Sequence, residues 1–442
     1  MSGTPSQPGV GSEAPGKSRA PDRFGFRQTF ASVYLPTTIY ESGIGAVTPV
    51  IPLLALQLGA TPAQAALVVA LLGIGQVLGD IPAGHLAARL GDRKAMLYGT
   101  VVTLIAMLVS TFAQHWLWLA AGTLLLGAVN SVFVLARQAY LSEMTPPLHR
   151  STALSMLGGM QRVGALIGPF LGGFAMTMTG RFLLSDSPDA EWLPAAFWLA
   201  IILALTTGIV VAVVKDVDTP GRVIPKETPA TTILRTNWRM FATLGIAFIL
   251  VGAIRQTRAT VLPLWSEHLG LTAAMSSYIF GISGLLDVAL FYPGGRIMDR
   301  RGRMWVAIPS VLVLGASLVL LPLTNGFASL ALVALVMGLG NGLGSGMLMT
   351  IGADMAPARV RAQFLSVCRI FSDSGSAAGP LIIALAAAQG AFAGGIVGMG
   401  LAGILAAVIL ARTLPRYTIH ANRRTRIAAG LTASGHDPNV GS

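Results

Sequence analysis

Apolar runs of about twenty residues, the length that crosses a ~30 Å hydrocarbon core, follow one another along almost the whole chain. They predict membrane-spanning helices at roughly 28–56, 62–88, 95–113, 117–142, 152–178 and 192–214. After a polar stretch, six more follow at roughly 240–266, 274–298, 304–323, 328–353, 362–387 and 391–411. The expected fold is an all-α integral membrane protein of twelve helices in two six-helix bundles, 26–214 and 239–412. A linker of 215–238 joins them, and tails of 1–25 and 413–442 flank them.

The halves are homologous. Pro82 and Pro293, Gly84 and Gly295, Arg89 and Arg300, and Gly91 and Gly302 each stand 211 residues apart. Asn130 and Asn341, and Gly168-Pro169 and Gly379-Pro380, recur at the same offset. A constant offset of that length means duplication of a whole multi-helix block rather than a short solenoid repeat.

Composition excludes a soluble domain: 53% of residues are hydrophobic and 11% charged, with mean hydropathy +0.69. The net charge of +12 is no nucleic-acid signal, because the basic residues gather in loops and tails beside the spans. The single cysteine, Cys368, excludes an intrachain disulfide framework. Residues 1–25 read as a disordered tail, with no signal peptide. Arg89, Arg93 and Lys94 in one loop, and Arg296, Arg300, Arg301 and Arg303 in its counterpart, contrast with the alternate loops at 57–61, 114–116 and 324–327, which hold no Lys or Arg. In the loop at 179–191, Arg181 stands against Asp186, Asp189 and Glu191. The positive-inside rule then puts both termini and the linker on the cytoplasmic side of the cell membrane. Arg412, Arg416, Arg423, Arg424 and Arg426 are expected to hold the last helix against anionic lipid.

The two loop sequences resemble the loop motif of the major facilitator superfamily, Gly-x-Leu-Ala-Asp-Arg-x-Gly-Arg-Arg. Gly295, Asp299, Arg300, Gly302 and Arg303 match it in the second half; Gly84, Arg89, Gly91 and Arg93 match it in the first, where Ala88 replaces the motif's acid. The resemblance spans the chain outside its tails. A second stretch, Gly164, Gly168, Pro169, Gly172 and Gly173, is similar to the fifth-helix motif of that superfamily's proton-coupled drug exporters. Small residues four apart allow close helix approach, and the proline loosens the helix. The run Gly338–Gly346 predicts a tenth helix that packs closely and bends.

Charges inside spans are costly and mark function by default. The resemblance implies a cavity lined by the first, fourth, seventh and tenth helices, which places Glu41, Arg137, Arg255 and Arg258 there, with Asn130 and Asn341 as further polar points. Glu41 is the candidate proton carrier and is expected to lie near Arg255 across the cavity. Three arginines against one acid predict a preference for anionic or zwitterionic solutes. The resemblance further places the second helix against the eleventh and the fifth against the eighth. Depth along each span, at ~1.5 Å per residue, then pairs Asp80 with Arg369 and Asp287 with Arg162 as inter-bundle gates. Asp373, one turn beyond Arg369, is expected to compete for that arginine or extend the pair into a relay.

The expected function is secondary active transport by alternating access, exporting a small organic solute or drug against protons. The alternative is proton-coupled uptake of a nutrient. No enzymatic constellation, metal cluster or nucleotide motif is present in the sequence, so a proton gradient is the expected energy source and no cofactor is needed. The expected partners are the solute and the bilayer, with no nucleic acid, and the monomer is expected to function alone.

Overall fold

The computed structural model describes residues 29–145, 150–183, 191–213, 230–357 and 360–430. Twelve helices in it are long and apolar enough to span a membrane: α1 Phe30–Gln57, α2 Pro62–Leu90, α3 Asp92–Thr111, α4 Trp116–Met144, α5 Arg150–Leu183 and α6 Pro194–Val213 in the first half. The second half holds α7 Trp238–His268, α8 Ala273–Arg301, α9 Met304–Leu323, α10 Phe327–Met355, α11 Arg361–Ala388 and α12 Phe392–Tyr417. The tail 1–25 and most of the linker lie outside the described residues. The linker's last part forms a short helix, Ala230–Thr236.

Exposed positions on the spans are apolar, among them Leu78, Phe174, Ile202, Leu332 and Leu405, as a lipid-facing surface requires. With lipid as solvent, burial of apolar side chains cannot drive helix association, so close backbone packing must. Glycines provide it. A methyl group at Gly75 would stand 2.9 Å from the Ala128 nitrogen, and one at Gly79 2.8 Å from the Ala128 Cα, so α2 lies directly on α4. Gly168 and Gly172 press α5 onto α1 at Ala46, while Gly375 and Gly379 press α11 onto α7 at Ile249 and Ala253. The exporter-like stretch therefore packs α5 against the helix that carries Glu41, with Gly173 turned to Tyr278 of α8.

Two helices are broken. α1 begins with a π-turn, Phe30–Tyr34, and is interrupted between Val47 and Val50, around Pro49. α10 stops at Leu343 and restarts at Met347, with Gly346 at φ 72°. The bend expected from the glycine run lies at Gly344–Gly346. Side chains other than glycine are rare at such a positive φ.

The halves meet along two antiparallel seams, α5 against α8 and α2 against α11. Gly281 meets Phe170 and Gly284 meets Leu166 on the first seam; Gly73 meets Ala377 on the second. On the face away from the termini, Glu191 of the first half accepts hydrogen bonds from the Ala274 nitrogen at 3.0 and 3.2 Å. A carboxylate there caps the first turn of α8 and complements its dipole.

One expectation about the tail needs correction. Arg426 does not reach for lipid. It is 1% exposed, on a short helix, Arg423–Ala428, that folds back onto the second half. Its guanidinium donates to the Arg300 and Asp299 carbonyls, both at 2.8 Å. These are last-turn carbonyls of α8 with no helical donor, and a cation there is favoured by charge and dipole alike.

Candidate functional site

Charged residues that the sequence places inside spans fall into three groups. The first lies within one half. Glu41 accepts from Arg137 Nη2 at 2.8 Å, and Arg137 Nε donates to the Phe133 carbonyl at 3.2 Å. The guanidinium sits over the Tyr40 ring at 5.4 Å and the Phe133 ring at 5.6 Å, rings themselves stacked at 4.1 Å. Arg137 is 3% exposed. A small pocket beside it is lined by Ser32, Met96, Tyr140 and Thr207. Glu41 therefore does not meet Arg255, as symmetry between the halves and depth had suggested. Depth fixes how far along a helix a residue lies; the rotation of α1 turns Glu41 towards α4.

Arg255 has a different partner. Its Nη2 donates to the Gly344 carbonyl at the break in α10, which also accepts from the Met347 nitrogen at 3.2 Å. The arginine thus adds a second donor to a carbonyl inside the break and ties α7 to it.

The second group lies on the α5/α8 seam. Arg162 Nη1 is 2.7 Å from Asp287 Oδ1, and Arg258 Nη2 is 3.8 Å from Asp287 Oδ2. Asn341 of α10 also donates to Oδ2. Arg258 donates to the Ser283 hydroxyl at 2.8 Å, and Arg162 lies 4.9 Å above the Phe291 ring. One carboxylate thus serves two arginines and an amide. Asn130, the first-half equivalent of Asn341, has a buried carbonyl oxygen for which no donor is found among the described residues.

The third group lies on the α2/α11 seam. Arg369 Nη2 stands 3.5 Å from Asp80 Oδ1, and its Nε 3.2 Å from Asp373 Oδ2. One arginine serves two acids here. The 211-residue offset relates the seams position by position: Asp373 stands where the first half has Arg162, and Gln76 where the second has Asp287. Charge is therefore reversed at one equivalent place, Asp373 for Arg162, and an uncharged amide replaces the acid at the other.

The loop motif is built differently in its two copies. In the second half, Arg303 reaches Asp354 at 2.8 and 3.3 Å and Asp299 at 2.7 Å. Burial pulls the Arg303 pKa down, and the hydrogen bonds and charges of Asp354 and Asp299 more than offset it. Gly302, at φ 106°, leaves room for Ala421 of the returning tail, and Gly295 has open space around it. In the first half, Gly91 (φ 81°) makes the same turn, and Arg93 donates to the Val211 and Ala212 carbonyls at 3.1 and 2.6 Å. Arg93 so caps α6. The side-chain surroundings of Gly84 and Arg89 lie outside the described structure.

A twelve-span, twofold-repeated bundle held together by small-residue contacts and buried ion pairs has the form of a membrane carrier. The family model of the Major Facilitator Superfamily matches residues 37–380. The chain belongs to this superfamily. It is a non-enzymatic, multi-pass membrane transporter. Multidrug resistance protein 2 of Bacillus subtilis is 24% identical over 305 residues, covering 66% of this chain and 72% of that one. The class H tetracycline resistance protein of Pasteurella multocida is 22% identical over 331 residues, covering 67% and 79%. Among solved structures, the nucleoside transporter NupG superposes with a TM-score of 0.69 at 13% identity, over 88% of this chain and all of that one. At that identity the likeness is one of fold.

Proposed function

We propose that this superfamily member exports a small organic solute in exchange for protons, by alternating access between its two halves. The observation that carries the reading is the make-up of the seams. Each is closed by ion pairs between halves, Arg162–Asp287 and Asp80–Arg369. Such pairs compensate charge when closed and can be hydrated when open, whereas a hydrophobic seam would hold no dependence on charge or proton. The names of the drug-resistance relatives support export over uptake.

Solute preference follows from charge. Glu41 neutralises Arg137, so the surplus lies with Arg162, Arg255 and Arg258 around the single Asp287. Guanidinium groups pair well with carboxylate or phosphate, which favours solutes carrying a negative or zwitterionic group. Glu41, in its one-to-one pair, would leave a buried arginine without its counter-ion on taking a proton. As a coupling residue it is thereby disfavoured. The loops rich in arginine are assigned to the cytoplasmic side of the bacterial inner membrane by the positive-inside rule.

The test uses purified protein in liposomes with an imposed pH gradient and a panel of cationic, anionic and zwitterionic drugs. Gradient-dependent movement of anionic or zwitterionic members against the proton flow is expected. Movement in the same direction as the protons contradicts export by exchange, and transport of permanent cations alone contradicts the charge preference.

A further inference from the structure

The α2/α11 seam has more acid than it can neutralise. Asp80, Arg369 and Asp373 together carry one excess negative charge when both carboxyls are ionised, and they lie at membrane depth on spans of two different halves. The Asp80 side chain is nine-tenths buried, and neither of its oxygens has a hydrogen-bond donor among the described residues. Arg369 stands off at 3.5 Å because its Nε is turned to Asp373 on the adjacent turn of its own helix. Both carboxyls lie against the one guanidinium, Asp80 at 3.5 Å from Nη2 and Asp373 at 3.2 Å from Nε. Asp80 thus lacks a donor that a proton held between the two carboxyls would supply.

Among the described residues, these two carboxyls make no further ion pair. The charged groups acting on Asp373 are Arg369 and Asp80. α7, packed on α11, brings Gly245 and Gly252 to that face, while its Arg255 is turned to Gly344 and its Arg258 to Ser283 and Asp287. α4, packed on α2, carries Arg137, which is committed to Glu41. Near this seam α4 offers Ser131, whose hydroxyl donates to the Gln76 carbonyl at 2.9 Å.

We propose that Asp80, Arg369 and Asp373 form the proton seat of the transporter, taking up one proton when the α2/α11 seam closes and giving it to water when the seam opens. The charge is neutralised by the proton in the closed state and solvated in the open one. Closed, two carboxyls, one guanidinium and one shared proton are neutral. Open, Asp373 keeps Arg369, four residues away on its own helix, and Asp80 moves off with the other half. Asp80 then faces water, and the proton leaves. The proposal deepens the exchange reading above and rests on it for its role in transport; occupancy of the seat by a proton does not depend on which solute moves or in which direction.

Infrared spectroscopy of the full-length protein in lipid tests that occupancy directly. At neutral pH the wild type should show a protonated-carboxyl stretching band that shifts in D2O. Asp80→Asn and Asp373→Asn each leave one acid facing one arginine, so each should abolish the band. Glu41→Gln should leave it intact. Arg369→Gln removes the cation and should keep the carboxyl protonated to higher pH. Asp373→Glu, which retains the acid and is the least disruptive change, should move the band without removing it. A wild type with no such band, a band surviving both asparagine variants, or a band lost in Glu41→Gln overturns the proposal. Should that happen while gradient-driven transport persists, the exchange reading stands and the proton sits elsewhere.

Discussion

The two seams between the halves descend from one duplicated contact and have come to hold opposite charge. At α5/α8, Asp287 of α8 meets Arg162 of α5 and Arg258 of α7; at α2/α11, Arg369 of α11 meets Asp80 of α2 and Asp373 of its own helix. The first has a cation to spare, and the second an acid. A spare guanidinium attracts the acidic group of a solute, whereas a spare carboxyl is satisfied by a proton. The comparison teaches how a twofold-symmetric scaffold can handle two unlike cargoes: backbone packing keeps the symmetry, and a few charged positions abandon it. Gly158 and Phe291 show the same division, for they stand where the other seam has Arg369 and Asp80. Arg162 lies over the Phe291 ring, so an apolar ring meets an arginine in one seam where an acid meets one in the other.

The largest effect should come from the positive seam. Asp287→Asn strands two arginines at once, and removing one partner of a buried pair costs about 3–5 kcal/mol. A marked fall in the thermal midpoint of the detergent-solubilised protein is expected, with partial recovery in Asp287→Asn combined with Arg162→Gln. A double variant no better than the worse single would break the claim that Asp287 and Arg162 act as a pair. The Glu41–Arg137 pair supplies the contrast within one half. Glu41→Gln leaves one buried guanidinium without its counter-ion where Asp287→Asn leaves two, and the rings of Tyr40 and Phe133 still hold it. Its midpoint should fall less than that of Asp287→Asn.

Packing comes next. Gly168→Ala places a methyl 2.7 Å from the Ala46 nitrogen, and such overpacking costs about 1–3 kcal/mol. Because α5 is shared between α1 and the positive seam, this variant should slow transport as well as lower the midpoint. Gly295→Ala, with open space around it, is the control and should leave both unchanged. The smallest effect is expected at the tail. Arg426→Ala removes two hydrogen bonds to the end of α8, about 1–2 kcal/mol at a helix C-terminus. It should free the returning segment for limited proteolysis while leaving the seams closed. Unchanged protease resistance would show that the tail docks without Arg426.

Much of this architecture is legible in the sequence because membrane helices obey few rules. Span length follows from bilayer thickness, and an antiparallel helix pair in fixed register lets depth alone place Arg162 opposite Asp287. What depth cannot give is rotation about the helix axis. Glu41 and Arg255 lie in helices that the family resemblance brings to one cavity, yet Glu41 turns to Arg137 and Arg255 to the broken end of α10. The glycine run announces a break there; that an arginine would occupy it follows only from geometry. Arg426 was hidden for another reason. Five arginines in a polar tail look alike, and burial of one depends on the positive φ of Gly302, more than a hundred residues earlier. A signal exists in the Asn422–Thr425 capping box, which marks a helix start where the composition suggests only a basic tail.

If the acids of the negative seam carry the proton and Glu41 does not, loss of Asp373 must uncouple transport from the pH gradient. Gradient-driven accumulation is compared with solute exchange at equal pH, in liposomes containing wild type, Asp373→Asn or Glu41→Gln. The solute is the one the drug panel identifies. Asp373→Asn should exchange solute across the membrane while losing accumulation driven by the pH gradient. Full accumulation by Asp373→Asn, with its loss in Glu41→Gln instead, would contradict it and return the proton to α1.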